Sequence, residues 1–278
     1  MNHLRMRFPD GLGKAFTMSY DDGVEQDIRL IQIMRENGVK GTFNLNSGLY
    51  APEGTVYPAG QVHRRMTERQ CLAAYAGSDV EVAVHASTHA FLEAVPTATA
   101  MMEVISDRAA LEKAYGCIVR GMAYPFGTLS DDVVEILRLA GIAYSRTTVS
   151  RLNFDIPTDW LRLGATCHHE NPALTELGEK FTVSAPNREP WLFYLWGHAY
   201  EFEGHDNWHV IERFLKTVGH RDDVWYATNI EIHDYVQAFR ALRFSVDGKL
   251  AQNPTAVDVW ALRDGEIVRI PAGATIRL

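Results

Sequence analysis

The sequence predicts an α/β protein built on a parallel sheet, either closed into a barrel or doubly wound. Two observations predict it. Short apolar runs alternate with longer stretches of helical periodicity over most of the 278 residues. Residues able to carry chemistry fall at the C-terminal ends of those runs, where the loops of a parallel fold converge on one face.

Lys14 to Tyr20 (KAFTMSY) reads as the first strand and ends at Asp21-Asp22-Gly23. Val24, Ile28, Ile31 and Met34 then recur at helical spacing as far as Glu36, and Gly38 stops that helix. Val39 to Asn46 is the second strand. Thr67, with Gln70 behind it, makes a capping box for a helix from Glu68 to Ala76. Glu81 to Val84 is a third strand that runs into His85. Thr97 caps a long helix to Tyr115, and Cys117 to Tyr124 is a strand stopped by Pro125. Ser130 caps a helix with Val133, Val134, Leu137 and Ala140 on one face, ended by Gly141. Tyr144 to Thr148, Leu161 to Thr166, Trp191 to Trp196 and Val224 to Thr228 are further strands. Helices from Trp208 to Val218 and from Glu231 to Leu242 accompany the last two.

The remainder differs. Residues 244–278 hold short alternating runs broken by Asp247-Gly248 and Asp264-Gly265, both hairpin signals. They read as a small C-terminal β-meander appended to a main domain of residues 1–243.

Composition limits the functions open to such a chain. The 27 Lys+Arg against 35 Asp+Glu leave a net charge of −8. A nucleic-acid partner or an anionic membrane surface would favour a basic face, so neither is expected. No stretch approaches the roughly 18 apolar residues of a membrane span. Three cysteines, Cys71, Cys117 and Cys167, make no disulfide framework and fit a reducing compartment. The first residues contain no apolar run of signal-peptide type, and the expected location is cytoplasmic.

The strand ends carry the candidate chemistry. Adjacent carboxylates at Asp21-Asp22 repel unless a cation or a division of labour relieves them; Asp22 also suits a helix cap. His85 and His89 lie four apart, the spacing of paired metal-binding histidines. With Asp22 they make a three-ligand set that leaves coordination positions open, as catalytic metal sites do. An oxygen-and-two-nitrogen set accepts Zn²⁺, Co²⁺, Mn²⁺ or Ni²⁺. His198 ends the Trp191 strand and suits general acid work, its ordinary pKa being near ~6.5. His168-His169 end the Leu161 strand, and Asn229 ends the Val224 strand.

Four segments resemble the ordered motifs of the polysaccharide deacetylases, the NodB-homology group or carbohydrate esterase family 4. They are TMSYDDG (Thr17 to Gly23), HASTH (His85 to His89), AYPFG (Ala123 to Gly127) and LWGH (Leu195 to His198). The resemblance implies a distorted (β/α) barrel of seven or eight strands, and hydrolytic removal of acetyl groups from N-acetylated or O-acetylated saccharides. It implies that Asp21 is the catalytic base, that Asp22, His85 and His89 hold a divalent metal, most often zinc, and that His198 is the general acid. It places Phe126 where a backbone N–H holds the oxyanion. Tyr124, Pro125, Trp196, His168 and Asn44 are candidate substrate contacts. Tyr124 and Trp196 serve equally well as core packing, Asn44 as a turn cap and His168 as a structural histidine.

The chain also departs from the family pattern. Ala123 stands where the family usually carries an arginine paired with the base; Arg120, Arg146 and Arg162 are possible replacements. Ala86 replaces a usual Ser or Thr, leaving Ser87 or Thr88 to fix that loop. No motif supplies the carboxylate that orients the acid histidine; Asp155, Asp159 and Glu170 are candidates. Two other functions stay open: hydrolysis of a small amide or ureide, as in the allantoinase-like branch, and saccharide binding without catalysis.

Overall fold

The computed structural model describes residues 4–278. Its elements follow in the order β1 (Arg5–Arg7), β2 (Lys14–Asp21), α1 (Asp27–Glu36), β3 (Gly41–Leu45), α2 (Glu68–Ala74) and β4 (Val80–Val84). Then come α3 (Thr97–Tyr115), β5 (Gly121–Ala123), α4 (Asp131–Leu139), β6 (Tyr144–Ser150), β7 (Leu163–Ala165), β8 (Cys167–His168), α5 (Leu174–Val183) and β9 (Trp191–Gly197). The chain continues with α6 (Ala199–Gly204), α7 (Trp208–Val218), β10 (Val224–Tyr226) and α8 (Asn229–Arg240). It ends in β11 (Arg243–Phe244), β12 (Leu250–Gln252), β13 (Val259–Arg263), β14 (Glu266–Ile270) and β15 (Thr275–Arg277).

The main sheet is parallel, in the order β7-β6-β5-β4-β3-β2-β9-β8. β7 and β8 are one stretch of chain broken only at Thr166. Its first part pairs with β6 and its second with β9, so the sheet closes on itself. Thr166 bridges the break: its N–H donates to Tyr194 O at 2.8 Å, and its hydroxyl accepts from Tyr194 N–H at 3.0 Å. β10 pairs with the start of β2, on the edge that β3 takes further along. The ring therefore has an extra strand at its N-terminal end only, which distorts the barrel.

Alternation along the strands sorts side chains into two layers. Phe16, Met18 and Tyr20 of β2 face outward into the large core beneath the helices, with Phe43, Leu45, Val84, Phe193 and Leu195. Thr17, Ser19 and Asp21 face the axis, where the interior is polar and largely hydrogen-bonded within itself. Thr17 donates to Asn229 Oδ1 at 2.8 Å and Asn229 donates to the Tyr194 hydroxyl at 2.7 Å. Asn229 opens α8 inside the barrel; it was expected at the cleft, but β10 ends earlier, at Tyr226.

Other differences from expectation are local. α1 begins at Asp27, because Val24 bridges to Arg65 instead. Thr97 is the first residue of α3 and Pro96 precedes it, so Thr97 does not cap. Cys117 lies outside β5 and is exposed; all three cysteines are free. α5 and α6 were not anticipated. Asp264 and Gly265 both take positive φ, 51° and 92°, as a type I′ hairpin requires, and join β13 to β14. β1 pairs antiparallel with β13, so the N-terminal strand completes a C-terminal sheet; β11, β12 and β15 form another. No helix among the described residues is long and apolar enough to cross a membrane.

Candidate active site

β2 delivers Asp21 to the top of the barrel on its inward face, 2% exposed. Two neighbours fix it. Asn44 of β3 donates to Oδ1 at 2.8 Å and to Ser19 Oγ at 2.9 Å. Arg146 of β6 donates to Oδ2. The Arg146 guanidinium is itself 1% exposed and lies 4.4 Å over the Trp196 ring. Ala123 and Arg146 are register partners across β5 and β6. The arginine missing at Ala123 is thus supplied one strand over, at the same height in the barrel. Arg120 and Arg162 go elsewhere: Arg120 pairs with Asp234, and Arg162 with Asp131 and Asp159. Burial pushes the Asp21 pKa up, but Arg146, with His85 and His198 adding, brings it below the usual carboxylate value.

Asp22 turns away from Asp21 through a positive φ of 84°. Its Oδ1 lies 3.0 Å from Arg65 Nη2 and 3.9 Å from His89 Nε2; its Oδ2 lies 3.3 Å from His63 Nε2. Burial again opposes ionisation, but His63, His85 and Arg65 outweigh it and keep the carboxylate charged. His63 and Arg65 come from the long β3–α2 connection. Arg64 between them pins that connection to Glu25 and Glu203.

His85 follows β4 and is buried. Its Nδ1 lies 2.8 Å from the Ala123 carbonyl, which can only accept, so Nδ1 carries the proton and Nε2 is free to bind a cation. That Nε2 lies 3.8 Å from Asp21 Oδ2. Burial lowers the pKa of His85 against the pull of Asp21 and Asp22, and burial with the nearby His85 lowers that of His89 to about 4. Both rings are therefore neutral, as metal ligands must be. Ligand atoms of Asp22, His85 and His89 lie within 4.8 Å of one another. Ligand atoms around a zinc-sized ion sit roughly 3.3 Å apart, given bonds of ~2.0–2.2 Å, so a small inward adjustment closes the set. Zinc, cobalt, manganese or nickel fits this donor chemistry.

The supports of this half lie nearby in space. Asp107 of α3 accepts from His85 N–H at 3.0 Å and Ser47 N–H at 2.7 Å. Asn46 donates to Ala86 O at 2.7 Å. Thr88 donates its hydroxyl and its N–H to Glu103, both at 2.7 Å, and so fixes the loop that Ala86 cannot. Asp22, Ala86, His89 and Phe126 all have positive φ. For residues with side chains such backbone is costly and clusters at functional sites.

Phe126 has φ 60° and ψ −1°, and its ring stacks on Phe91 at 3.7 Å and meets His89 edge-on. Pro125 is buried before it. Tyr124 does not face the cleft: it is 1% exposed and donates its hydroxyl to Leu161 O at 2.7 Å, so it is a core residue and not a sugar contact. Trp196 is largely buried as the platform for Arg146, and Asn44 is fully buried on Asp21. Burial removes both from the candidate substrate contacts and makes them supports of Asp21.

β9 ends at Gly197, where a Cβ would fall 1.9 Å from His169 Nδ1, so only glycine fits. His198 follows, with Nε2 3.7 Å from Asp21 Oδ2 and Nδ1 3.2 Å from Glu201 Oε1. Burial opposes its charge, but Glu201 and Asp21 prevail and raise its pKa. Glu201 is therefore the carboxylate paired with His198. Asp155 is exposed, Asp159 caps Leu161 and pairs with Arg162, and Glu170 pairs with His205. The legible signal was the spacing His198-x-x-Glu201 at a helix start, where Glu201 accepts from His198 N–H at 3.1 Å. His168 Nε2 reaches the same carboxylate at 3.1 Å. His169 is buried, stacked between Tyr20 and Phe202.

The family model described as polysaccharide deacetylase matches residues 10–145. No curated protein matches the chain. A candidate polysaccharide deacetylase from Mycobacterium smegmatis is 16% identical, with a TM-score of 0.58 over 86% of this chain and 96% of that one. A family 4 carbohydrate esterase from Streptomyces lividans, solved with acetate, is 14% identical, with a TM-score of 0.51 over 78% of this chain and 93% of that one. A Streptococcus pyogenes deacetylase, also solved with acetate, is 19% identical at a TM-score of 0.42; the match takes in 48% of this chain and 55% of that one. The two fuller likenesses carry the fold, a distorted (β/α) barrel, and the family model carries the motifs through β5. The chain thus resembles the polysaccharide deacetylases, by the family model over residues 10–145 and by the barrel fold beyond them.

Proposed function

We propose that the protein is a metal-dependent hydrolase that removes acetyl groups from an acetylated saccharide. One observation carries the reading: the Asp21 carboxylate lies between a cation-ready histidine, His85 at 3.8 Å, and a charged-prone histidine, His198 at 3.7 Å. A saccharide-binding module has no use for that juxtaposition.

Asp22, His85 and His89 would hold the divalent ion, zinc being the first candidate. When bound, the ion acidifies water and polarises the acetyl carbonyl. Asp21, off the ion and ionised by Arg146, accepts the proton of the attacking water. The Phe126 N–H is placed to donate to the developing oxyanion, a contribution of about 3 kcal/mol for donors of this kind. His198, whose pKa Glu201 raises, protonates the departing nitrogen or oxygen, because an unprotonated amine leaves poorly. Trp196 and Asn44 act through Arg146 and Asp21 and touch no substrate. All these groups belong to residues 1–243; residues 244–278 supply none of them.

Acetate release from N-acetylated oligosaccharides and from acetylated xylan tests the reading. Release that requires a divalent ion and falls about 10³-fold in Asp21→Asn supports it. Binding of the oligosaccharide with no release, unchanged by Asp21→Asn, favours a binding module. Turnover confined to small amides or ureides redirects the substrate class.

A further inference from the structure

We propose that Arg65 is a positioning residue that keeps the cation site formed: it grips Asp22 and, through Asn46, ties it to the loop that carries His85 and His89. β3 lies between β2 and β4 in the sheet, so Asn46, the residue after β3, sits between the two turns that carry the ligands. Arg65 holds three acceptors at once. Its Nη1 donates to the Asp22 carbonyl oxygen and to Asn46 Oδ1, the second at 2.8 Å, and its Nη2 donates to Asp22 Oδ1 at 3.0 Å. Asn46 Nδ2 then donates to the carbonyl oxygens of His85 and Ala86, the second at 2.7 Å. A guanidinium only donates and a carbonyl only accepts, so the Asn46 amide has one possible orientation.

Burial and backbone support the role. Asn46 is buried, and the Arg65 side chain is mostly so. Asp22 and Ala86, at the two ends of the bridge, take positive φ of 84° and 58°, a conformation that persists in such residues only where neighbours impose it. Arg65 is itself fixed before it grips anything. It forms an antiparallel bridge with Val24, and the next N–H, that of Met66, donates to Gly23 O at 2.9 Å, so the guanidinium starts beside the turn it holds. A carboxylate oxygen accepts through two lone pairs, so the Arg65 bond leaves Asp22 Oδ1 one for an ion. Oδ1 is also the Asp22 oxygen that lies 3.9 Å from His89 Nε2.

The consequence is a site that is set before the ion arrives. Without Arg65, the remaining hold on the Asp22 carboxylate is His63, 3.3 Å from the other oxygen, and nothing ties the Asp22 turn to Asn46. Partners that orient metal ligands are typically worth 10–100-fold in ion affinity. Arg65 also repels a cation, and the two effects have opposite signs: a lost grip weakens ion binding, whereas a lost repulsion strengthens it. The role rests on the reading of Asp22, His85 and His89 as a cation site.

Titration of the metal-free protein with Co²⁺, followed by visible absorption and repeated in competition with Zn²⁺, tests the role without any turnover. Arg65→Met is expected to weaken binding about 10–100-fold and to shift the cobalt band, because Asp22 no longer meets the ion at a fixed angle. Arg65→Lys keeps the charge and the stem, so it tests the grip even where the methionine variant does not fold. It should not restore the parent's affinity, since an ammonium has no fork to hold the Asp22 carbonyl and carboxylate together. Asn46→Asp keeps the acceptor for Arg65 but has no N–H for His85 and Ala86, and it should weaken binding as well. Combined with Arg65→Met it should add little, because both act through one bridge. Cobalt binding as tight as the parent's or tighter in both Arg65 variants, whatever their unfolding midpoints, overturns the role and leaves the cation site standing. A parent that binds no cobalt removes the cation site itself, and this role with it.

Discussion

The site has two halves built by different means. The cation half, Asp22 with His85 and His89, is assembled from segments at the ends of adjacent strands and is braced by nearby chain: Asn46, Asp107 and Glu103. The acid half, His198 with Glu201 and His168, is assembled from chain ends that meet only because the barrel closes through the split strand at Thr166. Asp21 joins the two, held by an arginine whose place on β6 is fixed by strand register. The comparison teaches that contiguous motifs preserve a site's ligands, whereas the groups that tune them can migrate across the sheet while keeping their height.

Substitution at the join should have the largest effect. Asp21→Asn should cost about 10³-fold in acetate release while the bound ion remains, measured by initial rates alongside metal content. Arg146→Met should cost about 3–5 kcal/mol in denaturant unfolding, because it leaves the buried Asp21 carboxylate unpaired. It should also raise the Asp21 pKa, so the acid limb of the pH–rate profile moves to higher pH. Adding Ala123→Arg to Arg146→Ala should recover part of both losses if register height is what matters; no recovery would break that part of the comparison.

Glu201→Gln isolates the acid half. It should lower kcat by about 10²-fold and leave KM and the ion at Asp22 largely unchanged. Glu201 raises the His198 pKa. A general acid works below its pKa, so the alkaline limb should move to lower pH in the variant. An unchanged alkaline limb would assign that limb to another group.

The smallest effect lies below both halves. Glu81 is half-buried on β4, accepts from Thr42, Tyr144 and Ile230, and has its pKa pushed up to about 7, chiefly by desolvation. Unfolded, it titrates near ~4.3. The native state thus keeps a proton that the unfolded chain loses. The associated stability is complete below about pH 4.3 and is lost as pH rises to about 7. Glu81→Gln should flatten that slope, by roughly 1–3 kcal/mol across the window, in unfolding curves taken at pH 4 to 8.

Much of this was legible in the residues. Strand alternation puts Asp21 on the face of Thr17 and Ser19, and HASTH places its histidines together. Arg146 was one of three candidates, and only register could choose it. Glu201 was missed because α6 itself was not anticipated, so nothing set Glu201 one turn beyond His198. Tyr124, Trp196 and Asn44 were read as substrate contacts because strand ends do not tell cleft from interior; burial decides that, and burial depends on barrel closure. His63 and Arg65 lie in a long connection without periodicity, and nothing local ties them to Asp22.

The most direct measurement is acetate release from a panel of N- and O-acetylated saccharides by chelator-treated protein before and after one equivalent of zinc or cobalt is restored. The account predicts negligible release without the ion, restoration with it in the parent, and no restoration in Asp21→Asn. Metal-loaded parent protein that releases no acetate from any of them, or release indifferent to both the ion and Asp21, would contradict it.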